Sequence, residues 1–208
     1  MIQKEFQVKP MAMEAIRDGH RPLFTTRELT TVGMLAGITM LLGLTGYGFI
    51  PLPYMKATIL HVPVIIGAVI AGPRAGIVVG LLFGLFSMFQ AITAPVLLSF
   101  AFINPLISIL PRMLLGLIAY GLYRGVPGKE SIKIGVSAVV TSLCHTVMVM
   151  GGIYLLYAKD FALARNIPVD SVFNMVLGIC IANGIPEAIV SGLIVVPIVL
   201  VLKKVRRK

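Results

Sequence analysis

Apolar residues gather in six stretches along this chain, at roughly 29–49, 60–72, 74–91, 105–123, 133–158 and 172–202. Backbone breakers separate them: Pro51-Leu52-Pro53, Gly72-Pro73, Pro95, Asn104-Pro105, Gly125-Val126-Pro127-Gly128 and Pro168. A helix needs about 20 apolar residues to cross a hydrocarbon core of roughly 30 Å. The pattern therefore predicts an all-α membrane protein with six transmembrane helices in one bundle. The second helix is short, rising only about 20 Å. It starts either near Lys56 or inside the membrane at His61-Val62-Pro63. Residues 1–28 read as a cytoplasmic N-terminal segment, and 29–208 as the six-helix membrane domain with a basic C-terminal tail.

Composition sharpens the class. Hydrophobic residues make up 58% of the chain and charged ones 12%, about half the usual charged share of a soluble domain. Mean hydropathy is +0.98. One bundle uses the whole length, leaving no room for a second domain. The net charge of +10 raises the question of nucleic acid, but the basic residues sit at helix ends and termini, not along a polar face. Six spans place both termini on one side of the membrane. That side carries fourteen Lys and Arg, against three (Lys56, Lys159 and Arg165) on the other. The positive-inside rule then makes the N- and C-termini cytoplasmic in a multi-pass protein of the cell membrane. Cys144 and Cys180 lie within apolar runs and suggest no disulfide framework. The residues from Met1 to Glu14 lack the apolar core of a cleavable signal peptide.

Only two formal charges, Arg112 and Glu187, fall deep inside the apolar stretches. A charge in hydrocarbon costs a few kcal/mol or more, so each is a candidate functional residue. Counting 1.5 Å per residue from the cytoplasmic anchors puts Arg112 and His145 roughly 18 Å deep and Glu187 roughly 24 Å, with Asn183 one turn further out. All four reach the outer half of the core. Tyr54, His61, Ser87, Gln90 and Asn104 add polar groups at the external ends. Together they outline a pocket opening outward.

Each residue carries a second reading. Arg112 offers a planar fork to an anionic ligand, or it pairs with Glu187 to tie the fourth and sixth helices. Glu187 alone could relay protons. His145 is either a ligand contact or a group hydrogen-bonded to a neighbouring helix. His61 is either a contact or a helix cap. Phe83, Phe86 and Phe89 read as packing or lipid-facing, and the absence of tryptophan excludes an indole platform. Gly33 and Gly37 form a small-xxx-small pattern on the first span, serving internal packing or a partner subunit. No phosphate-loop motif occurs, since Tyr123 stands where its first glycine belongs and Glu130 follows Gly128-Lys129. No H-E-x-x-H is present, and Ser87 lacks the glycines of a nucleophile elbow, so neither a metal nor a cofactor is expected.

The run from His61 through Val62-Pro63 to Gly72-Pro73-Arg74-Ala75-Gly76, continuing through Gly80, Gly84 and Ser87, resembles the substrate-binding S components of energy-coupling factor (ECF) vitamin transporters. Pro111-Arg112 and the segment Asn183 to Glu187 agree with it, and the likeness covers about 28–203. The resemblance implies a six-helix fold that binds a small water-soluble vitamin or precursor near the external face. Its implied partners are a scaffold membrane subunit, docked through Gly33 and Gly37 where the family has alanines, and two ATP-binding subunits. The pattern is closer to the branch with pantothenate-type members than to thiamin or biotin types. The reading is thus a substrate-capture subunit of an ATP-driven importer, with pantothenate as the leading ligand and no enzyme activity of its own. The competing reading is a stand-alone proton-coupled carrier using Glu187.

Overall fold

The computed structural model describes residues 24–51 and 56–206; Tyr54 lies outside them. Helix α1 (Thr26–Thr45) opens on a capping box, in which Thr25 Oγ1 accepts from the Glu28 N–H and Glu28 Oε2 accepts from the Thr25 N–H. It stops at Gly46, whose φ of 78° is the left-handed conformation that glycine adopts without penalty. Two three-residue strands follow, β1 (Phe49–Pro51) and β2 (Lys56–Thr58), paired antiparallel with Phe49 opposite Thr58. Helix α2 (Val62–Ala71) then starts at the His61-Val62-Pro63 turn, the second of the two starts expected. It rises only about 15 Å. Gly72, at φ 96°, turns the chain into α3 (Pro73–Thr93).

The fourth apolar stretch is not one helix. It comprises α5 (Pro105–Ser108) and α6 (Leu110–Gly125), preceded by the short α4 (Ser99–Phe102). Pro111 explains the interruption. A proline has no N–H to give the carbonyl four residues back, here that of Ile107, and its ring crowds that carbonyl. Helix α7 (Glu130–Arg165) runs past the expected end near 158. The stretch from Lys159 to Pro168, expected as a loop, is helical as far as Arg165 after a break at Tyr157 (φ −135°, ψ 28°). The reason is apolar burial: Phe161 is 0% exposed and packs with Leu98, Ala101, Ile107 and Val172. A 3-10 turn (Val169–Ser171) leads to α8 (Val172–Arg206), which contains Pro186 and Pro197.

Five of these helical stretches are long and apolar enough to cross a membrane: α1, α3, α5 with α6, α7, and α8. Helix α2 is apolar but shorter, and it is buried almost throughout. It lies among α1, α3, α6 and α8. The closest packing joins α3 to α6. A Cβ on Gly80 would stand 2.1 Å from the Arg112 carbonyl oxygen, and one on Gly84 would stand 2.8 Å from Ile109 Cα. Gly76 and Gly116 meet backbone to backbone in the same seam. Small residues four apart let two helix backbones touch, and here the contact presses α3 against the residue that carries the buried guanidinium.

Candidate functional site

Arg112 is 4% exposed and belongs to the first turn of α6. Its Nη1 donates to the Ile107 carbonyl, the acceptor that Pro111 leaves without its helical partner. Proline and arginine therefore act together: one frees a carbonyl and the next side chain takes it. The guanidinium carbon lies 5.4 Å from the centre of the Phe83 ring and 5.2 Å from that of Phe102, within cation–π range of both. Phe83, expected as packing or lipid-facing, thus faces the arginine; Phe89, on the same helix, is exposed.

His61 and His145 lie beside this group. Their ring centres are 5.4 Å apart, and Phe83 lies 6.3 Å from His145. His61 makes no side-chain cap bond to α2, so the capping reading is not realised. No imidazole nitrogen of either residue meets full hydrogen-bond geometry with a protein group, although the His61 ring lies against the Thr58 backbone.

Glu187 is 5% exposed and does not pair with Arg112. Its Oε1 accepts from the Thr58 backbone N–H at 2.6 Å and its Oε2 from Thr146 Oγ1 at 2.9 Å. The carboxylate thus joins α8 to α7 and to the strand that leads into α2. An ion pair joins Lys203 to Glu130 near the C-terminal end of α8. Asn183, one turn from Glu187 and beside Pro186, is buried with its Oδ1 unpartnered.

Arg112 Nε, Thr141 Oγ1, Ser142 Oγ and Ser191 Oγ are likewise buried without a protein partner. More than about nine in ten buried polar groups are normally hydrogen-bonded, and an unmet one costs about 1–3 kcal/mol. They lie at the N-cap of α2 and on α6, α7 and α8, with Asn183 and Ser191 about 12 Å apart along α8. This donor and acceptor set suits a polar, anionic small molecule. Phe83 and Phe102 flank the guanidinium.

The remaining expected contacts go elsewhere. Asn104 caps α5, its Oδ1 accepting from the Leu106 N–H, and its Nδ2 donates to the Tyr157 hydroxyl. Gln90 Nε2 donates to the Gly43 carbonyl and joins α3 to α1. Both are occupied by bonds within the fold. Among the described residues a Cβ on Gly33 or Gly37 would meet nothing within 4 Å, so packing inside the bundle does not demand glycine at either position. Sequence reasoning missed Thr58, Thr146 and Phe102. Phe83 had one usable signal, because it shares the α3 face of Gly76 and Gly80.

Residues 27–199 match the family described as "ECF transporter, substrate-specific component". The chain is 29% identical over 171 residues to the pantothenic acid transporter PanT of Lactococcus lactis subsp. cremoris (strain MG1363), covering 75% of this chain and 82% of that one. It is 31% identical over 163 residues to the pantothenate transporter PanT of Leuconostoc mesenteroides subsp. mesenteroides, covering 72% and 78%. The apolar helices agree with a multi-pass protein of the cell membrane. The chain belongs to the family of ECF transporter substrate-specific components.

Proposed function

We propose that this chain captures pantothenate on the outer side of the membrane and delivers it to an ATP-driven ECF complex. One observation supports this most: Arg112 is buried against two aromatic rings, and the buried acid Glu187 is engaged by Thr58 and Thr146 instead. A buried cation without an internal counter-ion is suited to a ligand carboxylate, which a guanidinium can hold bidentately. Pantothenate carries one carboxylate, an amide and two hydroxyls. Asn183, His145 and His61 provide the donors and acceptors that such groups need. The names of both curated relatives favour the same ligand.

In this reading six helices cross the membrane, α2 by a short path, with both termini cytoplasmic. The chain has no phosphate-loop motif, so ATP is hydrolysed by two partner subunits and coupled through a scaffold membrane subunit. The outward-facing stripe of Gly33 and Gly37 is the proposed docking face. Reconstitution with and without the ATP-binding subunits tests the assignment. Uptake of labelled pantothenate should require them and ATP. Uptake by the chain alone, driven by a pH gradient, would instead establish a proton-coupled carrier.

A further inference from the structure

Helices α1 and α8 both pack on α2 and leave a groove of about 470 Å³ open between them. Its floor includes Ile66 and Ile70 of α2, and its walls include Leu35 and Ile38 of α1 and Ile194 and Ile198 of α8. The polarity along it is one-sided. Arg27, Glu28, Thr31 and Arg206 line one end, and the remaining lining is apolar as far as Leu42 and Ile59. Arg27 and Leu42 are about 22 Å apart along α1, longer than one leaflet of a roughly 30 Å hydrocarbon core.

The polar end is also cationic in balance. Arg206 reaches across it to donate to the Ile70 carbonyl, which holds a positive group over the floor of the groove. Glu28 is engaged by Thr25 in the helix cap, and the Thr31 hydroxyl donates to the Arg27 carbonyl. Arg27 and Arg206 are both exposed there. The groove's cationic end lies away from the candidate substrate residues, whereas Ile59 and Val62 at its apolar end flank His61 in sequence. At about 100° per residue, Leu35 and Leu42 point about 140° or more around α1 from Gly33 and Gly37, whereas Ile38 stands about 100° from Gly37. The groove therefore borders the glycine stripe at Met34 and Ile38.

We propose that this groove is a binding site for one anionic phospholipid, with its phosphate at Arg27 and Arg206 and an acyl chain against α2. A single cationic end followed by an uninterrupted apolar trough matches the amphiphile's own charge profile. Each basic residue near an anionic headgroup contributes about 1 kcal/mol, so two give roughly a tenfold or greater preference over a zwitterionic lipid. An occupant of this kind would stiffen α2 against α1 and α8, and so support the helix that His61 immediately precedes.

The test is native mass spectrometry of the full chain, titrated with phosphatidylglycerol and with phosphatidylcholine of the same acyl composition. Phosphatidylglycerol should be retained about tenfold more strongly. Arg27→Gln with Arg206→Gln should remove that preference and leave phosphatidylcholine binding unchanged. Ile38→Trp, an exposed position on the wall, should weaken both lipids, with thermal unfolding confirming that the variant is folded. Equal retention of the two lipids by the wild-type chain would overturn the proposal without need of any variant. So would a preference that survives loss of both arginines. A photoreactive residue at position 38 that yields only protein adducts in native membranes would assign the groove to a protein partner and overturn it equally.

Discussion

Replacing Arg112 by glutamine removes the charge and leaves a shorter side chain with a planar amide. Arg112 has two separable jobs, so the outcome can be worked out in parts. One hydrogen bond goes inward to the Ile107 carbonyl, and the two aromatic rings hold the guanidinium plane. The remaining donors are available to a ligand. A hydrogen bond to a charged group contributes about 1.5–3 kcal/mol, and each 1.4 kcal/mol is a factor of ten in affinity. Loss of one or two such bonds should therefore weaken pantothenate binding by at least tenfold, and by over a hundredfold if both are lost. Arg112→Lys should restore only part, because an ammonium cannot reproduce the bidentate fork. The assay is calorimetric titration of the isolated chain in mild detergent, repeated with an analogue whose carboxylate is a neutral amide. The analogue should bind the wild-type protein weakly and lose little more on Arg112→Gln. If acid and amide lose affinity equally, Arg112 is serving the Ile107 carbonyl and the fold, and the carboxylate assignment is wrong.

Other perturbations separate the parts of the account. Thr146→Val should lower ligand affinity by removing one of the two donors that orient Glu187, a loss of about 1.5–3 kcal/mol if ligand binding depends on that orientation, read by the same titration. Gly33→Leu with Gly37→Leu should leave thermal stability and ligand binding unchanged but abolish ATP-driven uptake, whereas Gly80→Ala should impair both stability and binding because its Cβ collides with the Arg112 backbone. Near the other end of the bundle, hydrogen bonds from Lys203 and Tyr123 hold the Glu130 carboxyl below its usual range. That contribution is present above the unfolded value of about 4.3 and fades as pH falls through the folded one, so acidification should lower the melting temperature slightly less in Glu130→Gln than in wild type. With both cysteines replaced, a cysteine at position 165 should react with an impermeant reagent on intact cells and one at 206 should not.

Much of the site was legible because charge inside apolar sequence is conspicuous. Arg112 and Glu187 stand out in any hydropathy scan, and helix rise alone placed them near the level of His145 and Asn183. Helix rise gives depth but not direction around the bundle. Direction depends on the α3–α6 seam, where Gly76, Gly80 and Gly84 admit the backbone of α6 and thereby turn Phe83 toward Arg112. For the same reason the expected alternative of an Arg112–Glu187 ion pair could not be decided from spacing; the two side chains have the right depth but different partners. Thr58 reaches Glu187 through its backbone N–H, a contact that side-chain chemistry cannot announce. Asn104 and Gln90 were read as site residues from their level, yet each meets a local need, a cap in one case and a carbonyl of α1 in the other. The helical stretch after Tyr157 was hidden by its charges, Lys159, Asp160 and Arg165, which mark a membrane boundary but do not end a helix whose Phe161 and Ala162 can still be buried.

Native mass spectrometry of the gently purified chain, from cells supplied with pantothenate, tests the central claim most directly. The account expects a retained ligand with the mass of pantothenate on the wild-type chain, exchanged by added labelled pantothenate and lost in Arg112→Gln. A chain that retains a different small molecule, or that retains pantothenate equally well without the arginine, would contradict it.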